Sequence, residues 1–268
     1  MRRTFAMVAA VIEVGLLLWL ANASPFQVRS VTVTGTRELN PGQVLRLSGL
    51  QHPGSVFAID AATIRRKLSA SPWVRDATIT TQLPDRVTVA VDEWVPVAEY
   101  VPGGGTPSAG HGYYLSDQAR VLGVAPAPDA VLEVDGPPGA ALHAGQRPLD
   151  LRLLTALVNI QRGLPSTIGQ EVKSFAVDAC GNLTMTVVRG WKVYFGRVIT
   201  PEEFAALKDK LAALKAIATV QNLNSPDLQY INVMNPQLPA VSVKGKPSPT
   251  PKPGSSPAPT PAPTPGVC

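Results

Sequence analysis

The sequence predicts an α+β chain: a small sheet with two short helices, then a larger mixed β-rich region with two covering helices. Three observations carry this reading. Residues 71–97 hold two adjoining period-two stretches, residues 149–162 and 200–214 carry apolar positions at helical spacing, and residues 172–195 form β-branched runs divided by turn chemistry.

Taken in order, residues 1–3 are a basic stub and residues 4–23 make 20 mostly apolar positions. As a helix they would span ~30 Å, the thickness of a hydrocarbon core. Nine Leu, Ile, Val or Phe residues favour insertion by roughly 3 to 5 kcal/mol, against about 2.5 to 3.5 for the single charge of Glu13. A transmembrane helix is the expectation, with Arg2 and Arg3 holding the amino terminus on the cytoplasmic side. A cleaved signal peptide is the competing reading, because Ala21-Asn22-Ala23 has the small-x-small form of a cleavage site; the length of the apolar run weighs against it. Glu13 reads either as an intramembrane partner contact or as a tolerated charge.

Residues 26–34 are β-branched and end at Gly35, and residues 41–50 and 60–69 are short helix-like pieces. In the second piece Ile64 and Leu68 share one face, with Arg65, Arg66 and Lys67 on the other. In the hairpin that follows, Ala77, Ile79, Thr81 and Leu83 alternate with Thr78, Thr80 and Gln82. Val87, Val89 and Val91 then alternate with polar positions, and Pro84-Asp85 turns the chain. The order is β-α-α-β-β. With Val31-x-Val33-x-Gly35, the phrase SPWV at 71–74, the Pro-Asp turn and V-x-V-x-E-W-x-P-V-A at 89–98, it resembles the polypeptide-transport-associated (POTRA) domain, and more narrowly that of the FtsQ/DivIB family of bacterial cell-division proteins. That family usually has a basic residue where this chain has Trp94. The domain is expected over residues 24–98.

Residues 102–112 are rich in glycine and proline and read as a loop, and residues 113–121 (YYLSDQARV) read as two short strands around a turn at 116–119. A helix is expected over 149–162, ended by Gly163 and Pro165. Strands are expected over 172–177, 183–188 and 191–195, a capped helix from Thr200-Pro201-Glu202-Glu203, and a last strand over 227–234. The Val-x-Phe-Gly strand, the Lys-x-x-x-Leu helix and the Tyr-Ile-x-Val strand are similar to the second, β-rich domain of FtsQ/DivIB proteins, expected here over 99–243. Residues 244–268 hold nine prolines with Ser, Thr and Gly, cannot bury a core, and read as a disordered or polyproline-II tail.

Charge and composition exclude several classes of function. Arg2, Arg3, Lys244, Lys246 and Lys252 take five of the 24 basic residues, and Glu13 one of the 19 acidic ones, leaving 19 against 18 in a nearly neutral body. No folded basic face for a nucleic acid is evident. His52, His111 and His143 lie in separate loop-like stretches without metal spacing, and no nucleophile motif is assembled, so no metal, cofactor or catalytic residue is assigned. Cys180 and Cys268 make no disulfide framework, and the reading favours two unbridged cysteines.

The resemblance implies a non-enzymatic division scaffold. It would be a single-pass, type II protein of the cell membrane, enriched at the septum, whose extracytoplasmic part docks small single-pass coiled-coil partners of the FtsB/FtsL type. The alternative is a POTRA-bearing chaperone or docking receptor of protein translocation; that class ends in a membrane barrel, for which the strands here are few and short. Partner binding is expected at the last strand, read as a sheet edge open to strand addition, with Leu228, Tyr230, Asn232, Met234 and Asn235 as contact residues. Within it Tyr230 and Asn232 share the outer face, and Ile231 and Val233 the core face.

Overall fold

The structure, a computed structural model, describes residues 11–15, 24–103, 112–125 and 131–245. Most of the expected membrane segment, 4–23, lies outside the described residues, as does nearly all of the proline-rich tail; residues 11–15 are helical. Among the described residues no helix is long and apolar enough to cross a membrane. The chain divides into two compact units, Met1–Trp94 and Val95–Cys268.

In the first unit β1 (Ser30–Thr34) precedes α1 (Pro41–Ser48) and α2 (Ala61–Leu68), and β2 (Val74–Gln82) and β3 (Arg86–Glu93) form the hairpin. The sheet order is β1-β3-β2, with β1 parallel to β3. Both helices begin on side-chain caps: Asn40 and Gln43 form a reciprocal capping box at α1, and Asp60 accepts from Ala62 and Thr63 at α2. Val44, Ile64 and Leu68 close against Val74, Ala77, Val87, Val89 and Val91, the face that the period-two pattern predicts. Gly35 has φ +83, and a Cβ there would run into the carbonyl of Val91, which explains the glycine that ends the first strand motif.

Glu93, on the last position of β3, is 8 % exposed. Its carboxylate accepts the backbone N–H groups of Arg37, Glu38 and Leu39 at 3.0, 2.8 and 3.1 Å. The glutamate of the V-x-V-x-E motif therefore ties the β1–α1 connection to the sheet. Trp94 lies under the guanidinium of Arg75 at 5.8 Å, and Arg75 also pairs with Asp92.

Among the described residues the second unit forms one nine-stranded mixed sheet with two helices. In order along the chain its elements are β4 (Pro96–Gly103), β5 (Tyr113–Ser116), β6 (Val121–Val124), β7 (Leu132–Pro138), α3 (Leu151–Ile168), β8 (Val172–Val177), β9 (Asn182–Val187), β10 (Lys192–Arg197), α4 (Pro201–Val220), β11 (Leu228–Asn232) and β12 (Ala240–Val243). In space the strands run β12-β11-β10-β9-β8-β7-β4-β5-β6. Helix α3 connects the parallel pair β7 and β8, and α4 connects the parallel pair β10 and β11, so both cover one face of the sheet. Against them lie Phe175, Leu183, Met185, Val193, Phe195, Ile231 and Val233.

Four expectations need correction. Residues 95–98 belong to the second unit, because β4 pairs with β5 and β7, so the boundary falls at 94/95 and not at 98/99. Helix α3 runs six residues beyond its expected end, through Gly163 and Pro165, to a left-handed Gly169; buried Leu164 holds this last stretch on the core, and Ser166 and Thr167 hydroxyls bond the Gly163 carbonyl. Strand β11 is not the end of the sheet, since β12 pairs with its outer side. Cys180 is disulfide-bonded; Cys268, the chain's other cysteine, lies outside the described residues.

Candidate interaction edge of the second unit

The outer face of the larger sheet is laid out by register. One row runs Glu99, Glu133, Ser174, Thr186, Lys192, Tyr230 and Ser242, and the next runs Val101, Asp135, Ala176, Thr184, Tyr194, Asn232 and Ala240. Tyr194 and Tyr230 meet edge to face, with ring centroids 5.4 Å apart. Of the five predicted contact residues, Leu228 and Asn232 are buried, Tyr230 and Met234 are half-buried, and only Asn235 is exposed. Ile231 and Val233 are fully buried under the helices. Met234 packs over Gly196, and its N–H is held by Asn232 at 2.9 Å. These five therefore sit behind or beside an edge that another strand forms.

That edge is β12. Lys244 N donates to Asp227 O at 2.7 Å, so Lys244 points its N–H toward β11. Successive residues alternate in direction, which turns the N–H groups of Val241 and Val243 outward. The strand Ala-Val-Ser-Val has no charge, bulky turn or internal proline to blunt it. At the opposite end of the sheet β6 is partly covered, because Val121 exchanges bonds with Gln146 and Gly145 at 2.8 and 2.7 Å. Two features missed by the sequence reading brace the β12 end. Lys210 on α4 is buried and donates to the Phe195 carbonyl at 2.7 Å, where β10 departs from regular register, and burial lowers its ammonium pKa. Ser242 Oγ donates to Gln229 Oε1 across the pair.

The acidic part of the outer face is electrostatically costly. Burial raises the pKa of Glu133, with Asp135 and Glu99 adding to it and Lys173 opposing, and burial raises that of Asp135. A carboxyl raised in the folded state binds its proton more tightly there than in the unfolded chain, so its penalty is present above the folded pKa and relieved as pH falls through it. Thermal stability of the second unit should rise as pH falls from neutral through the raised pKa values of Glu133 and Asp135, and fall again at lower pH as Glu202 and Glu203, whose pKa values are lowered, lose their contribution. Glu133→Gln with Asp135→Asn should raise the melting temperature at neutral pH and flatten this rise. Calorimetry at several pH values checks it.

An apolar groove of about 380 Å³ lies between α3 and α4, lined by Ile160, Leu164, Ile168, Phe204 and Leu211, with Lys208 as its charged residue. It holds no acid–base pair. His52 and His143 are exposed and His111 lies outside the described residues; among the described residues no group of three or more His, Cys, Asp or Glu could hold a metal.

The first unit defines the class. Residues 26–94 match the family described as the POTRA domain of FtsQ type. Over longer stretches the chain is 29% identical to the cell division protein FtsQ of Rhodothermus marinus across 161 residues, 59% of this chain and 56% of that protein. It is 26% identical to that of Streptomyces bingchenggensis across 240 residues, 87% and 82% of the two chains. It is 31% identical to the cell division protein DivIB of Geobacillus kaustophilus across 71 residues, 26% and 27% of the two. The chain thus carries an FtsQ-type POTRA domain and is a homologue of the FtsQ and DivIB cell-division proteins. It spans little more than half the length of the Rhodothermus relative.

Proposed function

We propose that this protein is a non-enzymatic scaffold of the bacterial division machinery, which recruits small membrane-anchored division proteins of the FtsB/FtsL type by strand addition to β12. The observation that carries the reading is the uncharged edge of β12, which no other strand pairs among the described residues, with the Val241 and Val243 N–H groups directed outward. Main-chain bonding supplies affinity in this mode, and the side chains of β12 itself, Val241 and Ser242, lie beside the added strand. The homology to FtsQ and DivIB supports the division role, and the apolar residues 4–23 support a single membrane anchor with both folded units outside the cytoplasm. A fluorescent fusion to the full chain should form mid-cell rings in dividing cells; uniform envelope signal would contradict the proposal.

A further inference from the structure

Among the described residues of the first unit beyond 11–15, two large apolar side chains are more than half exposed, Phe57 at 57 % and Leu83 at 65 %. They are far apart in the chain, yet hydrogen bonds bring both to the start of β1. Val28 N donates to Gly54 O at 3.0 Å and Gln27 bridges Ser55, which fixes the loop at 51–58 to the stretch just before β1. Asp85 O accepts from Arg29 N and Ser30 N at 2.9 and 3.3 Å, which fixes the hairpin turn to the same stretch. The Phe57 ring packs on that of half-buried Phe26, with centroids 5.2 Å apart. Phe26, Phe57 and Leu83 thus mark one end of the unit, and Glu93, at the far end of β3, marks the other.

The chain enters the unit at the end marked by the three apolar residues. Ser24–Phe26 form a 3-10 turn directly after the apolar run 4–23. Three residues reach about 6 Å at the 3-10 rise of ~2 Å per residue, and at most about 10 Å when fully extended. On the single-anchor reading above, on which this inference rests, the run ends at the edge of the hydrocarbon core, and the headgroup layer beyond it is about 5 to 8 Å deep. Phe26 is therefore held at the headgroups, and Phe57 in ring contact with it. Net charge does not set the preference of this end, because exposed Arg29 and Arg86 are balanced by Asp60 and Asp85. Burial of apolar side chains at the boundary of headgroups and acyl chains does. Exposed apolar residues scattered singly are ordinary, whereas these gather at the one end tied to the apolar run.

We propose that Phe26, Phe57 and Leu83 form a lipid-docking patch, by which the first unit rests its hairpin turn and 51–58 loop in the headgroup layer of the bilayer that holds its anchor. Docking limits the swing of the unit on its anchor and keeps the Glu93 end away from the bilayer.

The test uses the full chain, with its six phenylalanines replaced by 4-fluorophenylalanine, at one chain per phosphatidylcholine nanodisc. Fluorine relaxation is measured with a lipid carrying a nitroxide just below the headgroup and, separately, with a gadolinium chelate in the water. The lipid should relax Phe57 at least threefold more than buried Phe175 and Phe195, and the chelate should reach Phe57 poorly. Leu83→Glu should raise relaxation of Phe57 by the chelate at least threefold, with amide exchange over 26–94 unchanged, and Leu83→Ser should do the same more weakly. Equal relaxation of Phe57 by the chelate in the wild type and both variants, with Phe5 relaxed by the lipid, overturns the patch and leaves the anchor standing. A Phe5 that the lipid does not relax removes the anchor and the patch together. Shielding of Phe57 that appears only at two chains per disc assigns the patch to a second copy and overturns the proposal as well.

Discussion

Glu93→Ala is expected to destabilise the first unit by about 3 kcal/mol, because it strips three backbone N–H groups of their shared acceptor and each unsatisfied group costs about 1 to 3 kcal/mol, less where water can enter. A domain of this size has a total stability of only about 4 to 10 kcal/mol. Native-state amide exchange over 26–94 should therefore accelerate about a hundredfold, with the second unit unaffected. Glu93→Gln keeps one oxygen acceptor and should lie between the two. Exchange within threefold of the wild type in the alanine variant would show that the carboxylate does not hold the β1–α1 connection. The same measurement separates structure from contact at this motif, since a residue conferring only binding would leave exchange unchanged.

The second large effect concerns β12. Val241→Pro removes an outward N–H and leaves the bonds to β11 in place, whereas Ser242→Pro removes one directed at β11. An edge strand tolerates the first kind of proline. Val241→Pro should keep the melting temperature within a few degrees of the wild type and reduce recovery of the small division partner at least tenfold. Ser242→Pro should lower both. Full partner recovery by Val241→Pro would mean that strand addition at β12 is not the mode of docking. Loss of the fold in Val241→Pro alone would contradict the directions assigned to the two amides.

The first unit was legible because each of its strands and helices carries its own local signal: period-two alternation, side-chain caps, and a glycine where the chain meets a carbonyl. What the sequence could not disclose there is the partner of Glu93, more than fifty positions away in the chain. The second unit was harder to read. Strand β4 begins within the E-W-x-P-V-A phrase, at Pro96, and so passes for the end of the preceding domain. Strand β7, Leu-Glu-Val-Asp-Gly-Pro-Pro, lies between two parallel neighbours, and its end has the composition of a turn. Strand β12 has four residues between Pro239 and Gly245, too few to show a period, so in the sequence β11 looks like the edge. The face assignment within β11 was correct for Ile231 and Val233, because alternation is local; the neighbours of β11 depend on a crossover and a return strand, which are not. The disulfide of Cys180 was likewise invisible to spacing.

Amide hydrogen exchange of β12 with and without a partner is the most direct test of the docking edge. The full chain would be reconstituted with the small single-pass division proteins of the same cell, and the peptide spanning 240–245 followed by mass spectrometry. Strand addition predicts that two slow amides appear there on complex formation, those of Val241 and Val243, each protected at least tenfold. A complex in which this peptide exchanges as in the free chain, while protection appears on β2 of the POTRA domain, would contradict the assignment of docking to β12.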